Sequence, residues 1–255
     1  MSSYNTSPAK QYTNHRTRHT WHFVSSVASG GEALPNNGLT PVWEPFLMVY
    51  NDQIVCYYSD QRDPTAGQKL VHQVSSDLVN WGPIVDDVKY GNYTYRPGMT
   101  TVSELPLGNW IMTYEFYGAV EADFAVYYRI SNDPLNFNAS VGHPIIATDG
   151  TVPVSSPYNV WSNVGGPLGT IAVSCGTDSA IFVNHNLGAP GAWTKVPTPE
   201  GQSYTRSLRV LNDQGKILIA GGGILGGEDN EVTVSEIDIT PKGAPLARCE
   251  RKDSY

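Results

Sequence analysis

The sequence lacks several features that would place it in common protein classes. Its 255 residues contain 16 Lys and Arg against 24 Asp and Glu, which gives a formal net charge of −8. A phosphate backbone or an anionic membrane needs clustered basic side chains, so we expect neither nucleic acid nor membrane as a partner. No apolar run approaches the roughly 18 residues of a spanning helix, and the N-terminus has no signal-peptide core. We therefore predict no export signal in this chain.

Cysteine and histidine are also scarce. The three cysteines are odd in number, and Cys56 and Cys175 lie in strand-like runs while Cys249 is in the tail. Buried free thiols are therefore predicted, and a disulfide framework is not. The six His residues show no ligand spacing beyond His19 and His22 in a polar arm, and no phosphate-binding or nucleophile motif occurs. The sequence thus predicts no metal and no cofactor.

Strand-forming and turn-forming residues are abundant instead. Fifteen Tyr, 25 Gly and 18 Pro accompany many short Val, Ile and Tyr runs, whereas no convincing amphipathic helix is found. The segments Ser75–Trp81 and Ser131–Phe137 share the pattern Ser-x-Asp-x-x-Asn-aromatic with small variations, and looser relatives end at Trp21 and Trp193. The closing aromatics are 60, 56 and 56 residues apart. A repeat of strands at this period predicts an all-β fold made of propeller blades.

The whole chain, 1–255, is interpreted as one β-propeller domain with about four blades. The order of strands and turns places them roughly at residues 40–88, 95–145, 155–198 and 203–240. Residues 1–24 resemble the outer end of a preceding blade, and residues 241–255 form a charged tail. Because a propeller removes its sheet edges by closing, an incomplete one is expected to expose an edge and to self-associate.

Two carboxylates are the leading candidates for chemistry. Glu44 lies between Trp43 and Pro45 at the start of an apolar strand, and a residue before proline is expected to be extended. Glu115 ends the second strand of the next predicted blade. The start of a blade's first strand and the end of its second share one rim, so the two glutamates are predicted to lie together near the axis. Such a pair can hydrolyse a glycosidic bond, although either could be a solvated loop residue.

Further side chains are predicted on the same rim. Aromatic rings there would stack on sugars, and arginines would hydrogen-bond to hydroxyl groups or orient a carboxylate. The candidates are Trp43, Arg96, Trp161, Tyr204 and Arg206.

A set of short motifs resembles glycoside hydrolase family 93. The motifs are Trp43-Glu44-Pro45-Phe46, Tyr57-Tyr58-Ser59-Asp60, Ser75–Trp81, Arg96–Thr101 and Met112–Glu115. The resemblance implies a six-bladed, sialidase-like propeller and a retaining exo-α-1,5-L-arabinanase that releases arabinobiose from arabinan or arabino-oligosaccharides. It also implies an extracellular location. By motif, Glu44 and Glu115 would be the catalytic glutamates, with Glu44 favoured as nucleophile, and Tyr204 would support them.

Two other hypotheses stay open. Family members carry a signal peptide and about two further blades before this region, so the chain could be a non-catalytic propeller that binds carbohydrate or protein. A sialidase would need three arginines for its substrate's carboxylate, and only Arg96 and Arg206 are well placed. That hypothesis is the least favoured.

Overall fold

The protein is all-β, as the sequence predicts. The computed structural model describes residues 22–34 and 38–239. In these residues the only helical segments are two 3-10 turns, at Pro106–Gly108 and Phe137–Ala139. Trp21, Cys249 and the predicted tail 241–255 lie outside the described residues, as does most of the predicted remnant 1–24. No helix in the described ranges has the length and apolar character to cross a membrane.

The strands form consecutive antiparallel sheets. The first sheet contains β1 (Val42–Tyr50), β2 (Gln53–Asp60), β3 (Lys69–Ser75) and β4 (Val85–Val88). The second contains β5 (Arg96–Glu104), β6 (Trp110–Tyr117), β7 (Ala125–Ser131) and β8 (His143–Pro144). The third contains β9 (Tyr158–Ser162), β10 (Thr170–Ser174), β11 (Ile181–Asn184) and β12 (Trp193–Val196). The last contains β13 (Ser207–Val210), β14 (Lys216–Gly221) and β15 (Thr233–Asp238).

The first strands of neighbouring sheets lie side by side. β1 contacts β5, β5 contacts β9, and β9 contacts β13. Since the other strands follow in order away from these, the sheets are arranged as in a β-propeller-like fold. The assignment of each sheet to a blade of a closed propeller remains a prediction.

Apolar side chains fill the spaces between successive sheets. One cluster, which includes Tyr57 and Tyr114, joins the first two sheets, and a second, around Ile111 and Phe182, joins the next pair. A third cluster, which includes Ile219, packs the last sheet against the third. An inner sheet is covered on both faces, which explains why all five residues of β10 are buried.

The repeated aromatics occupy comparable places in the chain. Trp81 and Phe137 lie between the third and fourth strands of their sheets, and Trp193 begins the fourth strand of its own. Cys56 and Cys175 are buried free thiols, as predicted. The exposed face of β1 presents Leu47 and Val49, which are 47% and 65% exposed. Self-association through an open propeller edge stays a prediction.

Candidate functional site: a pair of glutamates beside two β-bulges

Glu44 is placed by a β-bulge in the first sheet. The antiparallel register of β1 and β2 shifts at Glu44 and Pro45, which together oppose the single residue Tyr58. The extra residue bends the strand and changes the direction of its side chain. Glu44 has a φ of 59°, in the left-handed region. The prediction that Glu44 is extended because it precedes proline is therefore wrong: the bulge overrides the local preference.

The second sheet repeats the same irregularity. Met99 and Thr100 of β5 together oppose Tyr114 of β6, and Met99 has a φ of 53°. A positive φ is uncommon for residues other than glycine, so its occurrence at matching positions of two neighbouring strands marks a local requirement. The two bulges lie where β1 and β5 begin.

The bulges meet through the carboxylate of Glu44. The hydroxyl of Ser59 in β2 donates a hydrogen bond to Glu44 Oε2 at 2.6 Å, and the backbone N–H of Met99 donates to the same oxygen at 2.8 Å. Burial raises the pKa of Glu44 above its ordinary value, while these two donors and the charge of Arg96 oppose the rise. The carboxylate is thus bound to both sheets through one of its oxygens.

Glu115 occupies a different environment at the end of β6. It is 8% exposed, and its Oε2 accepts a hydrogen bond from the backbone N–H of Ser156 at 2.7 Å. Burial raises the pKa of Glu115 to about 7, and the negative charge of Glu44 adds to the rise. Ser156, Ser155 and Arg96 oppose it. Glu115 therefore keeps its proton over a wider pH range than an exposed glutamate.

Gly98 lies between the two carboxylates. A Cβ atom at this position would be 3.1 Å from Glu44 Oε2 and 3.7 Å from Glu115 Oε1. The separation of these oxygens cannot exceed the sum of the two distances. The prediction that Glu44 and Glu115 lie together is therefore supported by geometry.

Trp43 and Arg96 are held beside the pair by a buried amide. Gln68 accepts hydrogen bonds from the Trp43 indole N–H at 3.1 Å, from the Gln61 amide at 2.8 Å and from Arg96 at 3.5 Å. The guanidinium of Arg96 also lies 6.0 Å from the centre of the Trp43 ring. Burial lowers the pKa of Arg96, and the charges of Glu44 and Glu115 oppose this. The arginine thus provides positive charge next to both carboxylates.

Tyr204 also lies within electrostatic reach of the pair. Burial raises the pKa of its phenol to about 12, with further contributions from the charges of Glu44 and Glu115. The side chain is 41% exposed, so it remains accessible from solvent. The structure therefore groups Tyr204 with Trp43 and Arg96 around the carboxylates.

Trp161 and Arg206 are not part of this group. The indole N–H of Trp161 donates to the carbonyl of Leu168 in the connection from β9 to β10, at the end of β9 away from the bulges. Arg206 is fully buried and donates to the backbone carbonyls of Ser179 and Ala180. The indole N–H of Trp161 and the two terminal guanidinium nitrogens of Arg206 are thus used within the fold, and their role in substrate binding stays a prediction.

Several contributors to the site cannot be identified from the sequence. Ser59 belongs to a motif that predicts no role for its side chain, and no sequence pattern indicates Gln68. Met99 and Ser156 act through backbone N–H groups, which no side-chain pattern identifies. Met99 lies in a bulge and Ser156 in a bend, both with positive φ, and only the three-dimensional arrangement brings their N–H groups to a carboxylate. No cluster of three or more potential metal-ligating side chains occurs in residues 22–34 and 38–239.

Comparison with known proteins gives one consistent result. The chain is similar to the α-L-arabinanase of Penicillium chrysogenum, solved with arabinobiose, at 51% identity and a TM-score of 0.83. It is equally similar, at 51% identity and a TM-score of 0.83, to the family 93 α-L-arabinofuranosidase of Fusarium graminearum, also solved with arabinobiose. The chain belongs to glycoside hydrolase family 93. The alignments cover 86% of this chain and 64% of each relative, so the chain spans less than two thirds of their length.

The family is supported by structure and by identity together. A third solved structure, the Fusarium graminearum enzyme with an iminosugar inhibitor, gives 51% identity and a TM-score of 0.84 over the same 86% of this chain and 64% of the relative. No protein-family model matches the sequence, and no curated protein matches it. The resemblance stated from short motifs is thereby confirmed at the level of the family.

Proposed function

We propose that this chain is an arabinan-acting glycoside hydrolase that uses Glu44 and Glu115 in a retaining mechanism. It would act at chain ends of α-1,5-linked L-arabinan and release arabinobiose. The observation that carries the proposal is the pair of carboxylates on either side of Gly98, Glu115 buried and Glu44 partly buried, each with a different set of hydrogen bonds. An extracellular location, where such a polysaccharide is met, belongs to the same proposal.

The spacing of the pair favours retention. Retaining enzymes hold their carboxyl groups about 5–5.5 Å apart, whereas inverting enzymes leave about 6.5–9.5 Å for a water molecule. The distances of 3.1 Å to Glu44 Oε2 and 3.7 Å to Glu115 Oε1 from one point near Gly98 limit the separation of these two oxygens to at most 6.8 Å, which lies below most of the inverting range. This geometry supports direct attack by one glutamate on the sugar.

The roles follow from the two environments. Glu115, with its pKa of about 7, would donate its proton to the glycosidic oxygen as the bond to the anomeric carbon breaks. Glu44 would attack that carbon and form a glycosyl ester. Glu115, now ionised, would take a proton from water, whose oxygen then displaces Glu44 and restores both groups. The assignment agrees with the two hydrogen bonds that anchor Glu44 Oε2 and with the raised pKa of Glu115.

The surrounding side chains would bind the sugars. Arg96 offers donors to hydroxyl groups, and Trp43 offers a flat apolar face. Tyr204, exposed beside the pair, would add a hydroxyl donor close to the reacting carbon. These assignments rest on the contacts of these side chains with Gln68 and on their electrostatic coupling to the glutamates.

Binding without hydrolysis is the second candidate. It is favoured by one observation, the 64% coverage of the related enzymes, because the parts of the relatives beyond the alignment would be expected to add to the sugar pocket. A binding protein would use the same Trp43 and Arg96 surface.

The two candidates are separated by incubating the chain with linear arabinan and with an aryl arabinobioside. Hydrolysis would give arabinobiose as the first product, detected by chromatography and mass spectrometry. A ladder of longer oligosaccharides would contradict action at chain ends. Calorimetric binding of arabinobiose with no release of product from either substrate would support the binding protein.

A further inference from the structure

The hydrogen bonds of Glu44 distinguish its two oxygens. In the described part of the chain, Ser59 Oγ and the Met99 N–H both donate to Oε2, at 2.6 Å and 2.8 Å. An oxygen that accepts two short hydrogen bonds is stabilised as an anion and fixed in place. These two hydrogen bonds also engage lone pairs of Oε2. The geometry leaves Oε1 as the freer atom for attack on a sugar.

Ser59 is built into the scaffold that holds this contact. It is fully buried in β2 and lies opposite Trp43, immediately beside the bulge that carries Glu44. A glutamate side chain has three rotatable bonds, and burial alone does not select one orientation of its carboxylate. A donor from the paired strand therefore restricts the carboxylate more directly than packing would.

We propose that Ser59 is a positioning residue that holds Oε2 of Glu44, so that Oε1 is the oxygen that forms the glycosyl ester. This inference rests on the proposed hydrolase function. Met99 provides the second donor, but its contribution comes from the backbone and is unaffected by side-chain replacement. Ser59 therefore supplies the one of these two donors that a side-chain mutation can remove.

The same hydrogen bond also favours the ionised form of Glu44. The other groups that act on the carboxylate are Arg96, whose positive charge favours ionisation, and the nearby Glu115 and Tyr204, whose charges when ionised oppose it. Loss of the Ser59 donor removes one of the factors that offset burial. The pKa of Glu44 should then rise further.

The test compares Ser59→Ala with Ser174→Ala. Ser174 is a matched control: it is fully buried in the second strand of its sheet, and its hydroxyl donates to the Arg206 carbonyl at 2.9 Å. Both changes remove one buried hydroxyl, so a general effect on the fold should appear in both. Circular dichroism and thermal melting would check that each variant is folded.

The kinetic readout is the turnover of an aryl arabinobioside as a function of pH. Ser59→Ala should lower kcat by about 10- to 100-fold, the scale expected for a misplaced reacting group, with KM nearly unchanged. The acidic limb of its pH profile should move to higher pH. Ser174→Ala should have the same kcat as the wild type and the same acidic and basic limbs of the pH profile.

A second readout does not depend on turnover. The side-chain carboxyl carbons of glutamate, labelled with ¹³C, are titrated by NMR, and the Glu44 signal is identified by its loss in Glu44→Gln. It should titrate at higher pH in Ser59→Ala than in the wild type or Ser174→Ala. Equal behaviour of the two serine variants in both readouts would overturn the inference while leaving the proposed function intact. A wild type that cleaves no arabinoside would refute the proposed function and, with it, the role of Ser59.

Discussion

The first and second sheets contain the same bulge but use it differently. In the first sheet the bulged residue is Glu44, and Ser59 on the paired strand lies opposite the residue before the bulge. In the second sheet the bulged residue is Met99, and the position matching Ser59 is occupied by Glu115, opposite Gly98. One backbone geometry therefore supports a carboxylate on the first strand in one sheet and on the second strand in the next.

The difference explains how two glutamates acquire separate roles. Glu44 accepts donors from both sheets on one oxygen, which fixes that oxygen and partly offsets the rise in pKa that burial causes. Burial and the charge of Glu44 raise the pKa of Glu115 to about 7, against the hydrogen bonds from the Ser156 N–H and the Ser155 side chain and the charge of Arg96. Two donors converge on one oxygen of Glu44, whereas the pKa of Glu115 reaches a value suited to acid catalysis. The predictions below test this contrast, beginning with the largest effect.

Replacing each glutamate with Gln should give different kinetic results. Glu44→Gln should abolish hydrolysis of every arabinoside, because no ester can form. Glu115→Gln should slow the release of a sugar leaving group by about 100- to 10,000-fold, the usual contribution of a general acid. Formation of the ester from a dinitrophenyl glycoside should be much less affected, because that leaving group needs no proton. Reversed phenotypes, measured by pre-steady-state release of the phenol, would exchange the two roles.

Gly98→Ala should lower kcat/KM by disturbing the position of the glutamate pair, although both glutamates are kept. The new Cβ would be 2.8 Å from Gln68 Nε2 and 3.1 Å from Glu44 Oε2, so at least one of these groups must move. A shift near 1 Å at a reacting group costs on the order of 100-fold in kcat/KM.

The matched control for this change is Gly91→Ala. Gly91 has no atom within 4 Å of an added Cβ, so the variant should keep full activity. Equal kcat/KM for both variants would show that the space at Gly98 does not set the position of Glu44.

The raised pKa of Glu115 should also be visible in stability. The folded protein binds this proton more tightly than the unfolded chain, so the group contributes stability that is complete below about pH 4.5 and is lost as the pH rises through about 7. Glu115→Gln removes this dependence. The free energy of unfolding of the variant, relative to that of the wild type, should therefore increase by on the order of 1–3 kcal/mol between pH 5 and pH 8, as measured by urea denaturation. If the difference in unfolding free energy between the two proteins does not change with pH, Glu115 has an ordinary pKa.

The smallest effect is expected from Trp161→Phe. The change removes the indole donor to the Leu168 carbonyl and should cost about 1 kcal/mol of stability, the usual net value of one hydrogen bond. Because the side chain lies at the far end of β9, kcat/KM for the arabinobioside should stay at the wild-type value. A large rise in KM would instead show that Trp161 contributes to sugar binding.

The sequence predicts the large features of the fold for physical reasons. Strand periodicity, turn residues and the spacing of Trp81, Phe137 and Trp193 indicate a repeated all-β unit, because each sheet must bury both faces against its neighbours. Topology alone also brings Glu44 and Glu115 to one rim, since the strands that carry them alternate in direction.

The finer features depend on register, which the sequence does not reveal. The bulges shift the pairing of β1 and β5 by one residue and turn Glu44 away from the extended conformation that Pro45 would favour. Trp161 and Arg206 have side chains suited to sugar binding, but the structure directs their donors to backbone carbonyls. Side-chain type thus identifies what a residue can do, and its strand position decides whether it does so.

The most direct test of the account is to locate a trapped glycosyl ester. Glu115→Gln, incubated with a dinitrophenyl arabinobioside, should form the ester readily but hydrolyse it slowly, because the base that activates water is missing. Digestion and mass spectrometry should then find one arabinobiosyl unit on the peptide that contains Glu44, and none in Glu44→Gln/Glu115→Gln. An ester on any other residue, or continued turnover by Glu44→Gln, would contradict the account.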